Sequence, residues 1–212
     1  LPSVFGERVS VLCRLLAGER LLLVAPLRAL LTPVPDPARL SSRILTVRRG
    51  DRLDPQQAAD RLARAGYLRV PTVSIHGEMA IRGEVIDVFV PGQELAFRIT
   101  LDFDVVKGIR RFDPLDQSST DTVDEASLAP CREETFGEEE AAAIHEALVS
   151  QGFSEAEASQ AVDFLVENPD EGGAELSFSL CASGQSSVLD YLGADAACFL
   201  MDLERLSASA AR

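Results

Sequence analysis

From Gly77 to Gly92 the chain reads Gly-Glu-Met-Ala-Ile-Arg-Gly-Glu-Val-Ile-Asp-Val-Phe-Val-Pro-Gly, and no other stretch limits its fold as tightly. Apolar and polar positions alternate, β-branched residues are frequent, and Pro91-Gly92 closes the run as a turn. Strand side chains alternate with a period of two. Met79, Ile81, Val85, Asp87 and Phe89 therefore fall on one face, and Ala80, Arg82, Glu84, Ile86, Val88 and Val90 on the other. Gly83 interrupts that register. A glycine inside a strand pattern marks a bulge, and one extra residue there brings Arg82 and Phe89 to the same side. An arginine beside an aromatic on a pleated surface suits docking to another protein.

The surrounding pattern is α/β. Val4, Val9, Val11, Leu12, Leu15 and Leu16 recur at helical spacing over 4–17, and Gly18 is the stop. Leu21–Val24 reads as a short buried strand, and Leu27–Leu31 as a helical turn ending before Pro33. Three prolines, Pro33, Pro35 and Pro37, make 33–39 a linker and place a domain boundary there, after which a strand begins at Ile44–Val47. Asp54-Pro55-Gln56-Gln57 opens a helix, with Asp54 as cap, Pro55 in the first turn and Gln57 reaching back, and Gly66 closes it. Strands are expected at 70–75, 78–82, 85–90, 96–101 and 104–112. The polar run DTVDEASLAP after Ser119 predicts a loop or weak edge strand. Glu138–Glu140 place negative charge at a helix start, the helix running through 141–149 to a stop at Gly152. Ser154 and Glu157 form a capping box for a further helix with Ala158, Ala161, Val162 and Leu165 as its apolar stripe. A turn near Ser187, a strand at Ala196–Met201 and a last helix near Leu203 complete the reading.

Charge is unevenly distributed. Residues 1–42 carry five basic and three acidic groups (+2), 43–118 carry twelve and eleven (+1), and 119–212 carry three and twenty (−17). A duplex binder needs clustered Lys and Arg to replace phosphate counterions, and Lys107 is the sole lysine, which argues against direct DNA binding. Cys13, Cys131, Cys181 and Cys198 stand far apart without a Cys-x-x-Cys pair, so the expectation is reduced, mostly buried thiols rather than zinc or disulfides. The apolar stretch at Leu21–Leu31 is broken by Arg28 and too short to span a bilayer, which predicts no membrane association and a cytoplasmic setting. The chain starts at Leu1 rather than methionine, which suggests a fragment of a larger protein.

Enzyme motifs are missing at specific points. Lys107 sits in Val-Val-Lys-Gly and not at the end of a phosphate-binding Gly-rich loop, no Gly-x-Gly pair supports a dinucleotide site, and Gly184-Gln185-Ser186-Ser187-Val188 lacks the second glycine of a nucleophile elbow. His76 and His145 lie on different elements without ligand spacing to a cysteine or carboxylate. No catalytic residue, metal site or cofactor is therefore assigned. Residues 148–171 superficially look like a ubiquitin-associated domain, but too few residues remain for its third helix, and a capped helix pair accounts for the same letters.

GEMAIRGEVIDVFVPG, with FRITLDFDVV at 97–106 and IRRFDPLDQSS at 109–119, resembles the module shared by bacterial transcription-repair coupling factors and excinuclease B of nucleotide excision repair. LLLVAPLRALLTPVPDP at 21–37 and RRGDRLDPQQAADRLARAGYLRV at 48–70 are closer to the coupling-factor version, and FSLCASGQSSVLDYL at 178–192 resembles it faintly. The resemblance implies two domains. Residues 1–42 and 120–212 would form a discontinuous, degenerate helicase-lobe-like α/β domain lacking Walker motifs, and residues 43–119 an inserted small α+β domain that binds excinuclease A, the damage-recognition component of the same repair system. It implies Arg69, Arg82, Phe89 and Arg98 as partner-binding residues, Phe89 being equally explained as strand core. The excinuclease relatives carry a second arginine two positions before Arg82, where this chain has Ala80. The implied parent is an ATP-dependent DNA translocase that uses ATP and magnesium, meets RNA polymerase and DNA through other domains, and covers this surface with its own C-terminal domain when idle. A piece of excinuclease B and a structural spacer in a DNA motor are the alternatives.

Overall fold

The computed structural model describes residues 3–133, 138–167, 186–202 and 204–206. The chain divides into two compact units, Leu1–Cys13 with Leu40–Thr135, and Arg14–Arg39 with Phe136–Arg212. The resemblance implies an inserted domain ending at 119, but two further strands continue the first unit beyond that point. Ser119–Val123 (β7) pairs with Val105–Phe112 (β6), and Glu125–Leu128 (β8) pairs with Leu45–Arg48 (β1), so of the loop or weak edge strand expected there it is the strand that forms.

The first unit is built on a six-stranded sheet in the order β2-β3-β4-β5-β6-β7, from Leu68–Arg69 (β2), Glu78–Arg82 (β3), Val85–Val88 (β4), Ala96–Asp102 (β5), β6 and β7. Every neighbouring pair is antiparallel except β2 with β3. The strand expected at 70–75 is not formed. Only Leu68 and Arg69 join the ladder, and the chain then bends through a loop that the buried Glu78 carboxylate holds by accepting from the Ser74 amide (2.7 Å) and the Ile75 amide (2.9 Å).

One face of this sheet carries Met79, Ile86, Val88, Phe97, Ile99 and Ile109. These pack in one core with Leu45, Val47, Ala126 and Leu128 of the β1·β8 pair and with Ala58 and Leu62 of helix α4 (Pro55–Arg64). Alternation explains the face, and α4 supplies an apolar stripe at helical spacing to cover it. Asp54 caps α4 by accepting from the Gln57 amide (2.8 Å), with Pro55 at the first turn and Gly66 in the left-handed region beyond its end (φ 93°). Helix α1 (Ser3–Leu16) buries Val9 and Leu12 and runs close to the Pro91-Gly92 turn. A Cβ at Gly92, whose φ is 77°, would fall 2.0 Å from Ser10 Oγ.

Cys131 is buried and Cys13 half-buried. Burial pushes each of these thiols up to about 12, so neither is a thiolate near neutral pH. Cys198 is exposed, the exception among the three described thiols, and Cys181 lies outside the described residues.

In the second unit, helices α2 (Leu27–Leu31) and α3 (Pro37–Arg43), the latter crossing the boundary at Arg39, follow the extended residues 19–26. The strand expected at Leu21–Val24 does not form, and Leu22 is 94% exposed. The same is true of Ala196–Met201, where Phe199, Leu200 and Met201 are exposed and outside any ladder. An apolar run specifies a strand only where a neighbour supplies hydrogen bonds, and none does so at either place among the described residues. A 3-10 turn at Val188–Tyr191 is capped by Ser187, and the Tyr191 hydroxyl donates to the Pro35 carbonyl (2.6 Å). A helical turn covers 204–206, and the expected helix start at Leu203 lies outside the described residues.

Helices α5 (Glu138–Ser150) and α6 (Glu155–Glu167) form a hairpin around Ile144, Leu148, Val162 and Leu165, with Gly152 at φ 100° between them. The capping box is present. Glu157 accepts from the Ser154 hydroxyl (2.6 Å) and amide (2.9 Å), and these bonds hold its carboxyl below the ordinary glutamate range. A depressed folded-state value makes the contribution present above the unfolded glutamate value and lost as pH falls through the folded one. Titrating the Glu157 carboxyl by NMR is expected to give a midpoint below an ordinary glutamate, and Ser154→Ala, which removes the hydroxyl bond but keeps the amide one, is expected to move the midpoint up toward the ordinary value. A wild-type midpoint at or above the ordinary value would contradict this.

Candidate protein-interaction site

The opposite sheet face holds the polar cluster. Strands β3 and β4 are joined through Gly83-Glu84, with Arg82 opposite Val85, Ala80 opposite Asp87 and Met79 opposite Val88. Gly83 has φ 60°, as the first central position of a II′ hairpin turn requires. The break in alternation is thus a turn and not a bulge. Its consequence is the one the bulge was invoked for: Ala80, Arg82, Asp87 and Phe89 share a face, and Met79, Ile81, Ile86 and Val88 the other. Asp87 also stands opposite Arg98 on β5, and Arg98 opposite Arg110 on β6.

Asp87 is the centre of this face, with 0% of its surface exposed. Arg98 grips it with two prongs, Nε to Oδ1 at 2.7 Å and Nη2 to Oδ2 at 2.9 Å, and Arg82 Nη2 donates a further bond to Oδ2. Arg98 Nη2 also donates to Gln117 Oε1 (3.1 Å), and its guanidinium carbon lies 4.3 Å over the Phe112 ring. The bonds to Asp87 raise the Arg98 pKa, against the smaller opposing effect of burial. An ionised carboxylate so deep in a protein is tolerated only when paired and hydrogen-bonded, and this one has both. One carboxylate faces two guanidiniums, so the triad keeps a formal charge of +1.

Two loops close around the triad. Arg82 Nη1 reaches the Pro71 carbonyl at 3.4 Å, and Gln117 Nε2 donates to the carbonyls of Val73 (3.1 Å) and Pro114 (2.9 Å). Gln117 is left-handed (φ 64°), a conformation that costs energy outside glycine and is held here by its side-chain bonds.

The predicted site residues are therefore not alike. Arg82 has 46% of its side chain exposed and Arg98 22%. Arg69 is exposed on edge strand β2, and its side chain has no partner among the described residues. Phe89 is 6% exposed, packed with Val73, Ala80, Ala96 and Phe112, and its ring centroid is 4.0 Å from that of His76. Ala80 is buried in the same cluster, beside Asp87. Asp87 and Gln117 are not singled out by the sequence reading. The signal for Asp87 is a lone carboxylate inside Val-Ile-Asp-Val-Phe-Val, the pattern of a buried charge with a partner.

Among the described residues no cluster of histidine, cysteine and carboxylates could hold a metal ion, and no helix is long and apolar enough to cross a membrane. His76 is a turn residue whose Nε2 lies 2.8 Å from the Gln93 carbonyl oxygen. His145, on α5, lies 3.3 Å from both Ser159 Oγ and Glu155 Oε2.

Residues 45–133, which include the whole six-stranded sheet, match the family described as the UvrB interaction domain. The chain is 34% identical over 149 residues to the transcription-repair-coupling factor of Bacillus subtilis, 32% over 131 residues to that of Escherichia coli, and 35% over 128 residues to that of Myxococcus xanthus. These matches cover 70%, 62% and 60% of this chain but only 13%, 11% and 11% of the respective relatives.

Proposed function

Since residues 45–133 match the UvrB interaction domain family and the chain is similar to transcription-repair-coupling factors, we propose that it is a protein-interaction module which recruits excinuclease A in transcription-coupled nucleotide excision repair. The observation that carries this reading is the triad of Arg82, Asp87 and Arg98. It sets a net positive, partly exposed pair of guanidiniums on a rigid sheet face, while Arg69 lies at the sheet edge on β2, in register with Met79 and so not on the face of Arg82. Guanidinium groups present planar pairs of donors that match carboxylates, so the surface is suited to an acidic patch on a protein partner.

In this reading the chain performs no catalysis and needs no cofactor. Residues of the second unit belong to a degenerate relative of a helicase lobe, and ATP, magnesium, DNA and RNA polymerase are engaged by other parts of a longer cytoplasmic parent. Calorimetric titration of the 212-residue chain with purified excinuclease A tests the central point: saturable binding is expected, and no detectable heat or complex at micromolar concentration would refute it.

The parent's own C-terminal domain competes for the same face. A competing intramolecular contact lowers apparent affinity by the fraction of open molecules. The isolated chain is then expected to bind excinuclease A more tightly than the full-length protein does, and equal affinities in parallel titrations would exclude the masking.

A further inference from the structure

We propose that Asp87 is a positioning residue for docking: its buried carboxylate, oriented by Arg98 and braced through Gln117, fixes Arg82 in the pose that meets an acidic group on the partner. This deepens the function proposed above and rests on it. A long, exposed arginine samples many rotamers, and binding must suppress them; a side chain already held in place loses less on association. The distances show how Arg82 is held. Arg98 fixes both oxygens of Asp87 (2.7 and 2.9 Å), which leaves Oδ2 as the anchor for Arg82 Nη2, while the Pro71 carbonyl steadies Nη1 at 3.4 Å.

The arrangement also divides the arginines by role. Arg98 has Nε and Nη2 engaged and stands over the Phe112 ring, so it serves the scaffold first. Arg82, with the more exposed side chain, is the group turned to the partner. Gln117 ties the assembly to both flanking loops, since its amide joins Arg98, Val73 and Pro114.

Asp87→Asn separates positioning from contact. The substitution keeps the shape and one acceptor, which Arg98 Nε retains, but it turns an amide NH2 toward Nη2 of both arginines and releases Arg82. Affinity for purified excinuclease A, measured per folded molecule of the 212-residue chain, is expected to fall about tenfold. In an Arg82→Ala background the same change is expected to alter affinity by less than about twofold, because there is nothing left to position. Additive effects of the two substitutions, or an Asp87→Asn variant that binds like the wild type, would overturn the proposal. If Asp87→Asn does not fold, Arg98→Lys replaces it. That variant keeps the charge but loses the two-pronged grip, and it is expected to weaken binding about threefold with Arg82 present and not without it; additivity would again refute positioning. An Arg82→Ala variant that binds normally would also overturn the positioning proposal while leaving recruitment standing, whereas absence of binding by the unsubstituted chain would remove the docking reading itself, so the two failures are distinguishable.

Discussion

Replacing Arg69 and Arg82 together by alanine is expected to weaken binding of excinuclease A by about 2–4 kcal/mol, roughly 30- to 1,000-fold, while leaving the fold intact. The size follows from what the two side chains offer. Arg69 has no side-chain partner among the described residues, so its donors are available without breaking an internal bond. Arg82 has an anchor in Asp87 but is 46% exposed, and removing it leaves Asp87 still gripped by Arg98. The stability cost is accordingly small, as for other half-exposed ion pairs. Thermal unfolding checks the fold and calorimetry the affinity. Unchanged affinity at matched stability would take both arginines out of the docking contact, and no binding by the unsubstituted chain would identify a structural spacer instead of a docking module.

Phe89→Ala is expected to act on the other quantity. Burial and the packing with Val73, Ala80, Ala96 and Phe112 predict a loss of about 3–5 kcal/mol of folding stability, from lost transfer energy and the cavity left behind. A small domain is stable by only about 5–15 kcal/mol, so much of the margin disappears. Urea unfolding should show the midpoint shift, while the molecules that remain folded should bind excinuclease A within a few-fold of wild type. A variant of normal stability that fails to bind would make Phe89 a contact residue.

Legibility of the sequence differs between the two units for a physical reason. In the sheet unit, alternation and turn chemistry agree with the tertiary structure. Asp54-Pro55 starts α4, Gly83 and Gly92 turn the chain, and β3, β5 and β6 lie within a residue of their expected bounds. The polar Ser119–Leu128 stretch is less readable, because edge strands are held by backbone bonds to neighbours and need no apolar stripe. Conversely, Leu21–Val24 and Ala196–Met201 have strand composition without a ladder to join. At the candidate site, the arginines are visible through resemblance, whereas the ties of Arg82 and Arg98 to Asp87, and of Arg98 to Gln117, depend on cross-strand register and a loop closing over the sheet, neither of which residue spacing encodes.

The pairing of Leu45–Arg48 with Glu125–Leu128 sets Leu45 directly across from Leu128 and Arg48 across from Glu125. The stretch between them thus leaves and returns at one spot, fastened like a purse-string. A polypeptide whose ends already touch can be spliced into an exposed loop of an unrelated host without prying the host apart. With helix α1 and the residues to Cys131 that complete its core supplied as well, this cassette should therefore be portable, carrying its arginine face to whatever carrier receives it.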